Sequence, residues 1–106
     1  MFNLILFSFY IEIMSFNWKD EINEIFVNKW IDSYEILDQP NNFKATIKLK
    51  TLEGNALVLD CNVNNGINVA ESDNSEVKGN TFESFENLLM KTSQKFVDIY
   101  FDFNKS

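Results

Sequence analysis

Cys61 is the one thiol in the chain, and it sits in the alternating stretch Leu57, Leu59, Cys61, Val63. A cysteine acts as a nucleophile when a neighbouring cation or histidine holds it as thiolate. This chain has no histidine. It therefore lacks a neutral-pH imidazole base, a Ser-His-Asp or Cys-His pair and any imidazole metal ligand. On an apolar strand face, Cys61 reads as a small packing residue. A single cysteine also forms no internal disulfide and points to a reducing, cytoplasmic compartment.

The acids Asp60, Glu71, Asp73 and Glu76 fall close enough together in the chain to suggest a calcium loop. The ordered spacing of oxygen ligands, central glycine and closing glutamate of a calcium-binding loop is absent, so a solvated acidic loop is expected instead. Nothing in the spacing fixes two carboxylates at the separation glycoside hydrolysis needs. Lys44, Lys48 and Lys50 line one side of a strand, but no aromatic residue lies among them to stack on a base. All nine basic residues are lysines against 16 acids, for a net charge of −7, so no bidentate guanidinium is available for phosphate. Nucleic acid and anionic membrane are disfavoured as partners. No cofactor is expected, and the balance favours an interaction module over an enzyme.

What the chain has in excess is apolar and aromatic surface: 45% apolar residues and 11 phenylalanines in 106 positions. That length suits one domain with its own core. Residues 1–14 form a phenylalanine-rich apolar run, shorter than a membrane span and broken by Glu12, without the basic start of a signal peptide. It reads as a core-covering element, a targeting segment, or an extension upstream of a true start at Met14-Ser15, with a single domain over residues 15–106.

Residues 17 to about 33 predict an amphipathic helix capped by Asn17, with Asp20 and Glu21 in its first turn. Trp18, Ile22, Ile25, Phe26 and Trp30 recur at spacings of three and four, and Val27 and Ile31 make the arc wider than one core contact requires. Asp38-Gln39-Pro40-Asn41-Asn42 reads as a turn. Phe43, Ala45, Ile47 and Leu49 then alternate with Lys44, Thr46, Lys48 and Lys50, the mark of a strand with one wet face. After Glu53-Gly54-Asn55 a second strand turns Leu57, Leu59, Cys61 and Val63 inward, and Asn65-Gly66 predicts a hairpin into a third carrying Ile67, Val69 and Glu71. A polar loop follows. Thr81 is expected to cap a helix with Phe82, Phe85, Leu88 and Leu89, and Ser93 to cap a last one with Phe96, Val97, Ile99, Tyr100 and Phe103.

These elements predict an α+β fold: an N-terminal amphipathic helix, a three- to four-stranded antiparallel meander, and two C-terminal helices packed on one sheet face. So many rings exceed what one small sheet covers, and exposed apolar surface marks partner sites.

Their order and several residues resemble the GSKIP domain, the glycogen synthase kinase-3 interaction protein family, and a related domain occurs within clustered-mitochondria proteins. The resemblance runs from Ile22 to Tyr100. It is carried by Ile22-Asn23-Glu24-Ile25-Phe26, by Ile47, Leu49, Thr51, Glu53 and Asn55, by Leu59, Gly66, Ile67 and Val69, and by Leu88-Leu89, Ser93, Phe96 and Tyr100. It implies a small α+β adaptor without catalytic activity that binds glycogen synthase kinase 3 through its C-terminal helix. Some members dock regulatory subunits of protein kinase A through the N-terminal helix, and the matching positions here are Ile22 and Phe26. Where the family's last helix continues with leucines, Phe96, Ile99, Tyr100 and Phe103 are expected to supply the apolar contact. Gln94 stands where the family has proline after the capping serine. A scaffold of a translation or mitochondrial-positioning complex is the alternative binding role, and a hydrolase working without histidine the alternative from another class.

Overall fold

The structure, a computed structural model, describes residues 16–73 and 76–105, with side chains through residue 102. The apolar run 1–14 lies outside the described residues. Helix α1 (Trp18–Val27) leads into strands β1 (Ser33–Asn41), β2 (Lys44–Lys50), β3 (Ala56–Asn62), β4 (Gly66–Ser72) and β5 (Thr81–Phe82). Helices α2 (Phe85–Thr92) and α3 (Gln94–Lys105) complete the order. The strands form one antiparallel sheet in sequence order, so strands that neighbour in the sheet also follow one another in the chain.

Alternation decides which sheet face is dry. Ala45, Ile47 and Leu49 of β2, Leu57, Leu59 and Cys61 of β3, and Ile67 and Val69 of β4 are all buried in one cluster. Trp18, Ile22 and Ile25 of α1, Phe85, Leu88 and Leu89 of α2, and Phe96 of α3 close the same cluster, so all three helices cover one face. Each fully buried aliphatic side chain contributes about 1.5–3 kcal/mol relative to exposure, which makes this cluster the main source of stability. The opposite face carries Lys44, Lys48 and Lys50, which are exposed, and a hydrogen bond from the Thr46 hydroxyl to Asp60 at 3.3 Å.

Four expectations are corrected. The first helix ends at Val27 rather than near Ser33. Asn17 caps it as expected, its Oδ1 accepting from Lys19 N–H at 2.9 Å. At the other end Lys29 adopts φ 63°, and Lys29 N–H and Trp30 N–H donate to Phe26 O at 3.0 Å and Ile25 O at 3.2 Å. These paired bonds close a helix around one left-handed residue, normally glycine. No glycine or proline marks the stop in the sequence.

The segment read as a turn around Pro40 is the end of edge strand β1, which together with β5 brings the sheet to five strands and not three or four. Proline is tolerated there because an edge strand needs no donor on its outer side. Register shifts between Ile36 and Asp38 and between Asp38 and Asn41 break the alternation that would have revealed the strand. Thr81 pairs with Asn68 in β5 instead of capping a helix, and Ser84 caps α2 through Asn87 N–H at 3.1 Å. Val63 lies beyond the end of β3 and is exposed rather than inward.

The β3–β4 hairpin uses a three-residue loop, residues 63–65, with Gly66 alone at positive φ, 89°. A Cβ at Gly66 would stand 2.7 Å from Phe82 O, so glycine serves both the turn and the close approach of β5.

Candidate partner-binding surface

The last helix is built to be held at its beginning. Its first backbone N–H groups have no partner within the helix and must find acceptors elsewhere. Ser93 Oγ accepts from Phe96 N–H at 3.1 Å, the expected cap. Glu53, in the β2–β3 turn, accepts from Lys95 N–H through Oε2 at 2.7 Å. Partial burial pushes the Glu53 carboxyl up. Hydrogen bonds from Lys95 N–H, the Ser93 hydroxyl, its own N–H and the Thr51 hydroxyl outweigh that and set it below its ordinary value.

Next to Lys95 in the same first turn, Phe96 is fully buried and meets Trp30 edge to face with ring centroids 5.3 Å apart. Tyr100 touches the same Trp30 ring at 5.7 Å and Phe96 at 5.4 Å. Val97 and half-buried Tyr100 pack against the core cluster.

Beyond these contacts the helix leaves apolar side chains in solvent. Ile99 is 45% exposed and Phe101 50% exposed. At 100° per residue the two lie about 160° apart around the axis, on either flank of the outward positions Asp98 and Asp102. The solvent side of α3 is thus an acidic ridge between two apolar edges. Phe103 stands in the last turn, and its side chain lies outside the described ones. Of the four positions expected to contact a kinase, Phe96 is corrected to a core residue, Tyr100 is shared between core and surface, and Ile99 is open. Phe101 was missed: its neighbour at four residues, Val97, drew the periodicity inward. Glu53 was missed as well, because its partner lies 42 residues away.

On α1 the expected pair also separates. Ile22 is fully buried against the sheet. Phe26 is 42% exposed and meets Tyr34 edge to face at 5.7 Å, with Val27 more exposed still. The over-wide arc thus divides into an inward stripe of Trp18, Ile22 and Ile25 and an outward edge of Phe26 and Val27. Trp30 and Ile31 follow the helix rather than belong to it.

The other chemical candidates are dispersed. Cys61 is buried, and burial first and the charge of Asp60 second push its thiol up to about 12. Glu71 pairs with Lys78 at 3.5 Å, and Asp73 accepts from Ala56 N–H at 3.0 Å. Each acid of the imagined calcium loop that has a described bond spends it on a different neighbour. An open cleft of about 480 Å³ lies at one end of the sheet between Phe16, Trp18, Phe43 and Val63, with Glu83 on its wall. Among the described residues, no helix is long and apolar enough to cross a membrane.

Searches among curated proteins and among solved structures return no match. The family model of the GSKIP domain matches residues 17–104, from the cap of α1 to the last turn of α3. That span takes in the five-stranded meander, the three helices on its dry face and the clamp at Glu53, and the chain belongs to the GSKIP domain family.

Proposed function

We propose that this protein is a non-catalytic, cytoplasmic adaptor that docks on glycogen synthase kinase 3 through the solvent side of α3. The observation that carries the reading is the half-exposure of Ile99 and Phe101 on a helix whose first turn is fixed to the domain. Helix-in-groove recognition seats a few apolar anchors in a preformed slot, and Ile99 and Phe101, on the two flanks of the solvent side, are those anchors. Asp98 and Asp102 between the flanks suit a groove with a basic floor, which speeds encounter and makes it salt-dependent.

Phe26 and Val27 form a second, separate apolar edge on α1, which we assign to a protein kinase A regulatory subunit. Ile22 supports that surface from below by holding α1 on the sheet.

The test is a titration of purified glycogen synthase kinase 3 with the labelled full chain and with Ile99→Asp. Saturable binding by wild type, weakened roughly thirtyfold in the variant at an unchanged melting temperature, is expected for an anchor worth about 2 kcal/mol. Absence of wild-type binding overturns the reading.

A further inference from the structure

The residues that hold the start of α3 come from three distant parts of the chain. Thr51 and Glu53 come from the β2–β3 turn, Ser93 from the joint between α2 and α3, and Trp30 from just after α1. Thr51 and Ser93 are buried, while Glu53 is at the surface. The turn is closed by its own bonds: Thr51 N–H to Asn55 O at 2.9 Å, Gly54 N–H to Thr51 O at 2.8 Å, and Asn55 N–H to Thr51 Oγ1 at 3.1 Å. It presents the Glu53 carboxylate to Lys95 N–H. A carboxylate at this end of a helix meets both unpaired donors and the positive end of the helix dipole.

Two attachments fix a rod's direction where one leaves a pivot. For α3 they are the Glu53 bond at Lys95 and the Trp30–Phe96–Tyr100 ring stack. Ten residues separate Lys95 from Lys105, about 15 Å of helix, so a tilt of about 20° displaces the last turn by about 5 Å. A displacement of that size takes apolar anchors out of a preformed groove.

We propose that Glu53 is a positioning residue for the partner helix: it touches no partner, and it sets the direction in which α3 presents Ile99 and Phe101. The proposal rests on α3 being the docking helix. Because Glu53 is at the surface, it can be replaced without opening a cavity in the core.

The test uses the full chain as wild type, Glu53→Gln and Glu53→Ala, with two independent readouts. The first is amide hydrogen exchange at Lys95 and Phe96, which reports on the clamp whether or not a partner binds. The second is affinity for purified glycogen synthase kinase 3. In Glu53→Ala, Lys95 exchange is expected to accelerate about tenfold. Affinity is expected to fall about fivefold, the scale of a lost helix cap. Glu53→Gln keeps a neutral acceptor and falls between the two in both measurements, and that partial rescue separates positioning from general loosening. Unchanged Lys95 exchange in Glu53→Ala overturns the clamp. Faster exchange with unchanged affinity overturns its role in presentation. Failure of wild type to bind overturns the docking reading and with it the presentation role, and the exchange data still decide whether the clamp exists.

Discussion

The Trp30 and Phe96 rings meet edge to face at 5.3 Å and 78°, joining the residue that follows α1's termination to the first turn of α3. Edge-to-face pairs add about 0.5–1.5 kcal/mol beyond the area they bury. Phe96→Ala removes a fully buried ring and is expected to cost about 3–5 kcal/mol. Trp30 is part-exposed, so Trp30→Ala costs less, but it withdraws contacts from both Phe96 and Tyr100. Urea unfolding followed by far-ultraviolet circular dichroism, run on both single variants and the double, measures the pair. A coupling of 0 kcal/mol in that cycle removes the ring stack as an attachment of α3.

The dry face of the sheet was legible in the sequence because alternation over Ala45, Ile47, Leu49 and over Leu57, Leu59, Cys61 has one burial solution. The caps at Asn17 and Ser93 were legible for the same local reason: donor and acceptor lie within three residues. Strand β1 was hidden because Tyr34 and Ile36 alternate for a single period before Leu37 falls on an irregular register. Around α3 the pattern showed an apolar helix but not which ring faces the sheet, since Phe96, Ile99, Tyr100 and Phe103 share one broad arc. Trp30 chose for it, by occupying the space against Phe96 and Tyr100. The Glu53 clamp joins residues 42 apart and leaves no periodic trace at all.

Glu21 is the place where charge works against the fold. Partial burial first, then the charges of Glu24, Glu86 and Asp20, hold its carboxyl above the ordinary value of 4.5. The folded state therefore keeps a proton that the unfolded chain has already released, so stability declines as pH rises from 4.5 through the raised value. Glu21 also sits in the first turn of α1, where the dipole favours an acid, and the direction of the shift says that this is outweighed. Glu21→Gln is expected to melt higher than wild type at pH 7. The gain is expected to shrink below pH 4.5, where both states of wild type are protonated. Melting curves across that range check it, and a variant that melts lower at pH 7 contradicts the sign.

Lys29 holds φ 63° where helix terminations of this kind normally carry glycine. A side chain in the left-handed region costs about 1–2 kcal/mol, because Cβ crowds the following carbonyl oxygen. Replacing it with glycine relieves that contact but adds about 0.5–1 kcal/mol of backbone entropy to the unfolded chain. The difference favours Lys29→Gly by about 0.5–1 kcal/mol. Lys29 is exposed, so no buried contact is lost with its side chain. The N–H groups of residues 29 and 30 still reach Phe26 O and Ile25 O, which keeps Trp30 in place against Phe96. The expected result is therefore a higher urea midpoint with unchanged kinase affinity. Lys29→Pro makes the contrast, since a proline ring fixes φ near −65° and removes the donor to Phe26 O. That variant is expected to release Trp30 and lower both stability and affinity. A Lys29→Gly protein that unfolds earlier than wild type shows that the left-handed turn is not where α1 ends.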